Sequence, residues 1–204
     1  MHEFIRPEKT ARLYTRQNEK TLWQLENEGR IINNRAYVQM HFGDMAAHYL
    51  ESYDWFTEEA AKRVPKPADV QAPLWCSVDK RNCLKPIPGT VVYALELPAE
   101  RVIYFDEAKW DYVLNRIYLP KDEADRDAYR KRLAAMGIDN GFEFFTGRYK
   151  GFYPEEERRI RESWVRIFDI DVPTIFNVCG NIWEIRKEWV RQIVRPGETI
   201  DERF

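Results

Sequence analysis

The chain has 204 residues and a formal net charge of −2, which excludes the overall basic charge typical of proteins that bind nucleic acids or anionic membranes through charge alone. Hydrophobic residues make up 44% and charged residues 32%, so we expect one soluble globular domain, residues 1–204. Three cysteines are too few for a four-cysteine zinc site. No stretch approaches the roughly 18 apolar residues of a membrane-spanning helix, so we expect a cytoplasmic protein that does not enter a membrane.

The opening segment 12–17 (RLYTRQ) predicts a strand. Successive side chains of a strand point to opposite faces, which puts Thr15 and Gln17 on one face, and Tyr14 and Arg16 on the other. These four side chains are the first candidates for a ligand-binding surface.

Five stretches carry helical signals, either a capping residue at the start or apolar residues at steps of three and four. A glycine at position 29 ends the first of them, and Pro65 follows the second. The predicted helices are 18–29, 46–64, a short helix after Asp106, 122–137, and one beginning at Pro154.

The remaining apolar segments predict strands, with Gly180 as a bulge. In the last long segment Ile182 and Glu184 share a face, so we expect the Glu184 carboxylate to point inward, where it is either functional or paired with an arginine. Strands and helices do not alternate regularly, which predicts an α+β fold with flanking helices and a mixed, antiparallel or split sheet. The predicted strands are 74–78, 91–97, 102–105, 174–185 and 190–194.

A second candidate surface lies where strand 102–105 runs into its helix. Asp106 is an N-cap candidate, and Trp110 and Asn115 follow it; these three residues either bind a ligand in a cleft or only cap and pack the helix. The glycine- and aromatic-rich stretch 137–151 has two similar alternatives, a lid over a ligand or a loop packed by its own rings.

A metal site is not expected. His41, Asp44 and His48 have helical spacing, but Gly43 interrupts that span, and two histidines near a helix start more often have structural partners than a metal ion.

The chain resembles an uncharacterised bacterial family known only as a domain of unknown function. The resemblance rests on LYTRQ, YDWF, the strand around Trp75, VIYFDEAKWDYVLN and the closing IWEI, and spans nearly the whole chain; Ser77 stands where that family is expected to carry an aromatic residue. It implies no activity. The matching residues are Thr15, Gln17, Tyr53, Asp54, Trp55, Trp75, Asp106, Trp110, Leu114 and Asn115.

The opening LYTRQNEKTLWQLENEG is also similar in outline to the first strand and helix of ADP-ribosyltransferase folds. That resemblance implies NAD as a substrate, Thr15 at the position of a dinucleotide-holding histidine, and Glu184 as the late-strand glutamate. Arg16 or Gln17 would assist catalysis. Tyr14 or Trp75 would stack on the nicotinamide.

Three functions follow, and the sequence leaves open whether the protein is an enzyme. The first is glycosyl transfer from NAD, in which a carboxylate stabilises positive charge on the ribose. The second is a non-enzymatic module that binds a nucleotide, a base or a peptide. The third is an interaction protein, such as a partner in a bacterial defence or toxin system, that docks through the charged helix 122–136 and the aromatic loop.

Overall fold

A computed structural model of the chain describes residues 9–33, 35–43 and 46–204. Its strands are β1 (Thr10–Asn18), β2 (Arg30–Ile32), β3 (Leu74–Ser77), β4 (Thr90–Pro98), β5 (Ile103–Asp106), β6 (Val178–Ile182), β7 (Glu184–Arg186) and β8 (Val190–Val194). Its α-helices are α1 (Thr21–Glu28), α2 (Arg35–Phe42), α3 (Ala46–Ala61), α4 (Glu107–Leu114), α5 (Glu123–Ala135) and α6 (Pro154–Ser163).

The chain divides into two compact units, the first running to Tyr104 and resuming at Val172–Phe204, the second comprising Phe105–Asp171. The main sheet has six strands in the order β5-β6-β3-β1-β4-β8, and β2 and β7 form a separate two-stranded sheet. The pairs β1–β3, β1–β4, β3–β6, β4–β8 and β2–β7 are antiparallel. The predicted α+β class is therefore confirmed, whereas the single-domain organisation stays a prediction.

One face of the main sheet, here called the core face, carries the hydrophobic core of the first unit. Leu13 is fully buried opposite Leu95, and Cys76 and Leu74 on the neighbouring strand belong to the same apolar cluster. Leu25 of α1 packs against this cluster. Leu13 of β1 and Val91, Tyr93, Leu95 and Leu97 of β4 form this face, because every second side chain of a strand points the same way.

The second sheet also contributes to that core. Ile31 and Ile185 lie opposite each other on β2 and β7, and both are buried in the same cluster as Leu13. Glu184 is adjacent to Ile185 and therefore points to the other side of this small sheet. The expectation that Ile182 and Glu184 share a face is wrong, because a bend at Trp183 separates β6 from β7.

Gly180 lies inside β6 and is not a bulge. A side chain at this position would bring a Cβ to 2.9 Å from Leu13 Cδ2 and 3.1 Å from Val102 Cγ1. The glycine is needed because neighbouring core side chains approach the strand closely. A register shift does lie between Ala94 and Leu95, where β4 pairs with β8.

Three local features differ from the sequence expectation. Strand β2 and helix α2 were not predicted. Helix α1 begins later than expected, since the N-cap is Lys20 and Asn18 instead ends β1 and accepts a hydrogen bond from Lys20 N at 3.0 Å. Gly29 ends α1 in the left-handed conformation, with φ of 73°, as predicted.

The second unit is built around Trp164, which is buried and donates from Nε1 to the carbonyl of Ile117 at 2.9 Å. Leu119 N donates to the Ser163 hydroxyl at 2.9 Å, which ties the chain after α4 to the end of α6. Asp122 is the N-cap of α5, as predicted, and its carboxylate accepts a hydrogen bond from Asp125 N at 2.8 Å.

Candidate functional site

On the face of the main sheet opposite the core face, β1, β3 and β6 present polar and aromatic side chains, and this part of the sheet is here called the polar face. Alternation along these strands puts there the residues that do not point to the core face. The neighbouring strand β4 contributes the buried apolar side chains of Val92 and Ala94 to the same side. Tyr14 lies opposite Ser77, and Ser77 lies opposite Cys179. The polar face includes Tyr14, Arg16, Trp75, Ser77, Cys179 and Asn181.

Tyr14, Ser77 and Cys179 form one row of side chains across these three strands. A second row lies two residues further along each strand. Trp75 lies opposite Asn181, and the register of β1 with β3 sets Arg16 on the other side of Trp75. The row therefore presents a guanidinium, an indole and a primary amide on adjacent strands. At about 4.8 Å between neighbouring strands, the backbones of Arg16 and Asn181 are roughly 10 Å apart.

Asn181 has the least favourable environment of this group. Its side chain is fully buried, yet neither its Oδ1 nor its Nδ2 has a hydrogen-bond partner among the described residues. Leaving a buried polar group unpaired costs about 1–3 kcal/mol, and native proteins pair nearly all such groups. An unpaired amide with both a donor and an acceptor is therefore a candidate recognition group.

Trp75, the cross-strand neighbour of Asn181, packs against two aromatic residues of α3. The Trp75 ring lies 5.4 Å from the Tyr53 ring in an edge-to-face arrangement and 5.2 Å from the Phe56 ring. Phe56 is fully buried, and burial raises the pKa of Tyr53 to about 12. This aromatic group lowers the local dielectric constant, which strengthens any hydrogen bond that Asn181 makes.

The two β1 side chains on the polar face make contacts with other segments. Arg16 donates from Nη1 to the carbonyl of Lys85 at 3.2 Å. Its other N–H groups have no partner among the described residues and can therefore bind an anion. The Tyr14 hydroxyl donates to the carbonyl of Phe204, and the Arg12 guanidinium lies 5.1 Å from the Phe204 ring centroid. Burial raises the pKa of Tyr14, so its phenol stays neutral at physiological pH.

Thr15 and Gln17 lie on the core face and not with Tyr14. The Thr15 hydroxyl donates to the backbone carbonyl of Trp75 at 2.7 Å and accepts from Gln17 Nε2 at 2.8 Å. Thr15 is buried. These bonds satisfy a buried hydroxyl inside the sheet, and the Trp75 side chain itself points to the opposite face.

Glu184 lies in the second sheet, in an ion-pair cluster with two arginines that flank it on β2 and β7. Arg30 Nη1 contacts Glu184 Oε2 at 3.0 Å, and Arg186 Nε contacts Oε1 at 2.6 Å. Arg30 also pairs with Asp69, and these bonds raise the pKa of Arg30. Both carboxylate oxygens of Glu184 are thus held by arginines, the structural alternative that the sequence left open.

The residues to which the transferase resemblance assigns roles around NAD, namely Thr15, Gln17, Trp75 and Glu184, therefore do not face one common cleft. The first two side chains point to the core face, Trp75 points to the polar face, and Glu184 points away from the core on the smaller sheet. The structure instead brings Tyr14, Arg16 and Trp75 together on the polar face.

The candidates of the second unit have local structural contacts. Asp106 is the N-cap of α4 and accepts from Lys109 N at 3.2 Å, and Trp110 is buried with its ring 6.5 Å from that of Phe105. Asn115 donates from Nδ2 to the carbonyl of Asp111 at 2.8 Å and ends the helix. These contacts are those of caps and packing.

The aromatic stretch 137–151 is held by ring contacts to residues that follow it. Phe144 and Phe145 are buried; the Phe144 ring lies 5.4 Å from that of Tyr153, and the Phe145 ring stacks 6.1 Å from that of Trp164. The stretch is thus a packed loop, but the rings against which Phe144 and Phe145 pack lie outside it.

Among the residues that the structure describes, no group of three or more histidine, cysteine or acidic side chains is placed to hold a metal ion. The question raised by His41, Asp44 and His48 falls outside the described residues and side chains. Within the same described ranges, no helix is both long and apolar enough to cross a bilayer.

Comparison with known proteins gives one match. The sequence model of a protein family described as a domain of unknown function, DUF3841, matches residues 12–191. The chain belongs to the DUF3841 family. No curated protein and no solved structure matches it. The predicted whole-chain family membership is thereby confirmed, whereas bacterial origin, a cytoplasmic location and a role for NAD stay predictions.

Sequence reasoning missed Asn181, the residue that the geometry singles out. Asparagine is depleted in strands, and Asn181 lies between apolar residues in a segment that was correctly predicted as extended. The asparagine in an apolar, extended segment was the available signal. The position of Asn181 opposite Trp75, however, depends on the strand register.

Proposed function

We propose that this DUF3841 protein is a nucleotide-binding module whose ligand lies on the polar face, over Arg16, Trp75 and Asn181. The observation that carries the proposal is the buried, unpaired amide of Asn181. A sequence that keeps such a group accepts a cost to folding, and functional sites are where proteins commonly accept it.

The three side chains match the parts of a nucleotide. A primary amide pairs with a molecular edge that offers one donor and one acceptor, as an adenine edge or a carboxamide does. A guanidinium binds phosphate through several N–H groups. The separation of roughly 10 Å between their strands suits a ligand with its ring at Asn181 and its phosphate at Arg16.

NAD is the nucleotide to test first, since its nicotinamide carries a carboxamide complementary to that of asparagine, and the opening strand has the outline of NAD-binding transferases. Transfer chemistry has less support, because Glu184 is engaged by two arginines and faces away from the core on the second sheet. The proposed role of NAD is therefore that of a ligand.

Entry of the ligand requires a local opening. Asn181 is fully covered, whereas Ser77 and Cys179 in the adjacent row are partly exposed, so the ligand approaches from that row. Since only the open fraction binds, the apparent affinity is lower than the intrinsic affinity by that fraction.

Calorimetric titration with NAD, AMP, adenosine and nicotinamide tests the proposal. Asn181→Leu removes the amide at similar volume and should abolish binding of all four compounds. Arg16→Gln should weaken NAD and AMP selectively. Arg12→Gln is the matched control. Arg12 is also a cation on this face of β1, but it already pairs with Glu96.

Absence of binding by all four compounds to the wild-type chain would overturn the proposal. Equal loss of AMP and adenosine in Arg16→Gln would remove the phosphate role from Arg16. The same samples decide between binding and transfer: nicotinamide released from NAD in the presence of cell lysate, which supplies an acceptor, would favour the transferase hypothesis.

A further inference from the structure

The connection from β3 to β4 contacts the polar face at two points. Residues 79–87 of this connection are here called the β3–β4 loop. The carbonyl of Asn82 accepts a hydrogen bond from the Ser77 hydroxyl at 3.2 Å, and the carbonyl of Lys85 accepts the one from Arg16. The loop therefore touches both the row from which the ligand approaches and the arginine that is proposed to bind its phosphate.

The β3–β4 loop buries little apolar surface. Its two large aliphatic side chains, Leu84 and Ile87, are 62% and 51% exposed. Hydrogen bonds hold it instead, among them one from the Asn82 side-chain amide to the carbonyl of Ile175. Loops with few buried apolar contacts are the segments that open locally without global unfolding.

A second segment, residues 199–204, crosses the same side of the main sheet and is here called the strap. Gln192 of β8 binds it twice: Nε2 donates to the carbonyl of Thr199 at 3.1 Å, and Oε1 accepts from Asp201 N at 2.9 Å. At β1, the Tyr14 hydroxyl donates to the last carbonyl of the strap. The pairing of β8 with β4 and of β4 with β1 puts Gln192 and Tyr14 in one row, so the strap crosses β4 between them.

Lys80 joins the β3–β4 loop to the strap. Its Nζ donates to the carbonyl of Asp201 at 3.3 Å and to that of Glu202 at 3.2 Å. Hydrogen bonds from a charged donor are stronger than those between neutral groups. Because the strap is itself bound to β8 and β1, these two bonds hold the loop against the sheet.

The thiol of Cys83 reports the position of the β3–β4 loop. Cys83 is partly buried in the loop, and this burial raises its pKa from 9.0 to about 11, against the opposing effect of the Arg16 charge. Only the thiolate reacts with alkylating reagents. Opening of the loop returns the pKa toward 9.0 and raises the thiolate fraction by at most about a hundredfold, a factor of ten for each pKa unit.

We propose that the β3–β4 loop gates the polar face and that the strap, through Lys80, holds the loop closed. As regulation of a nucleotide site this rests on the proposed function, whereas the closure itself does not. Opening breaks the bond between Arg16 and the carbonyl of Lys85, which frees that donor for a phosphate. Release of the strap therefore raises the apparent affinity, because a larger fraction of the chain is competent to bind.

Alkylation of the full chain with iodoacetamide at about pH 8 measures opening, and mass spectrometry identifies the labelled cysteine. Lys80→Met removes both bonds to the strap, and Gln192→Ala releases the strap from β8; each should raise the labelling rate of Cys83 severalfold. Loss of the Lys80 charge alone would slow labelling, because a nearby cation favours the thiolate. The matched control is Lys85→Met, which removes a charge from the loop, keeps the backbone carbonyl and should not raise the rate.

Unchanged labelling of Cys83 in both Lys80→Met and Gln192→Ala, or an equal increase in Lys85→Met, would overturn the proposal. Cys76 is buried in the core and serves as the internal control, because its labelling would report global unfolding.

Calorimetric titration with adenosine, which carries no charge, tests the gating. Lys80→Met should bind adenosine more tightly than the wild type, by about the factor by which labelling of Cys83 rises. Faster labelling with unchanged adenosine affinity would show that the loop does not gate the site and would overturn that part of the proposal. Failure of adenosine to bind either protein would overturn the nucleotide proposal alone, since the thiol rates decide whether the strap holds the loop.

Discussion

Replacing Glu184 by glutamine tests whether this carboxylate holds the second sheet together. Glu184 has a 6% exposed side chain, and its oxygens lie 3.0 Å from Arg30 Nη1 and 2.6 Å from Arg186 Nε. Glutamine keeps the shape but removes the charge that both guanidinium groups require. Breaking a buried ion pair by removing one partner costs about 3–5 kcal/mol.

The expected loss for Glu184→Gln is smaller, because the two arginine side chains are 36% and 45% exposed and water screens them when they lose their partner. We expect a decrease of about 2 kcal/mol in the free energy of unfolding. In a chain of this size that corresponds to a fall of about 4–8 °C in melting temperature.

Thermal unfolding followed by circular dichroism measures the effect. The matched control is Glu188→Gln, since Glu188 lies 3.9 Å from Arg186 with a 64% exposed side chain; its melting temperature should change by less than about 2 °C. An unchanged melting temperature for Glu184→Gln would refute the structural role, and unchanged stability combined with lost NAD chemistry would restore the catalytic hypothesis.

Three further changes have defined outcomes. Gly180→Ala should destabilise the chain by about 1–3 kcal/mol in urea unfolding, because the added Cβ would lie 2.9 Å from Leu13 Cδ2 and 3.1 Å from Val102 Cγ1. An unchanged free energy of unfolding would show that these core side chains move aside without cost. Asp106→Ala should cost about 1 kcal/mol through loss of the α4 cap, and a reduced affinity for nucleotide without that cost would point to a ligand contact instead. Burial raises the pKa of Tyr53 from 10.0 to about 12, so above pH 10 the unfolded chain releases this proton first and stability falls as pH rises, by at most about 1.4 kcal/mol per pH unit. Tyr53→Phe should flatten that fall, and parallel curves for the two proteins would contradict the burial argument.

Local sequence signals predicted the regular elements well. The alternating faces of β1, the apolar run of β4 and the capping residues Asp106 and Asp122 each depend on a few neighbouring residues. Helix α2 and the three-residue strand β2 were missed, since tertiary packing outweighs propensity in such short elements.

The candidate site was less predictable, because it depends on contacts between distant segments. The faces of β1 were assigned correctly, but the bend at Trp183 moved Glu184 out of the strand in which alternation had put it. Gly180 looked like a bulge because the close approach of Leu13 is not visible in the sequence. Asn181 became significant only when the register placed it beside Trp75 without a hydrogen-bond partner.

Site-specific NMR of the Asn181 side-chain amide tests the nucleotide-binding account most directly. Its ¹⁵N–¹H resonances, assigned by their absence in Asn181→Leu, should move downfield when NAD or AMP is added, because a new hydrogen bond deshields the amide protons. The same variant should be at least as stable as the wild type, since removing a buried unpaired amide is neutral or favourable. Resonances that stay in place at saturating nucleotide would contradict the account.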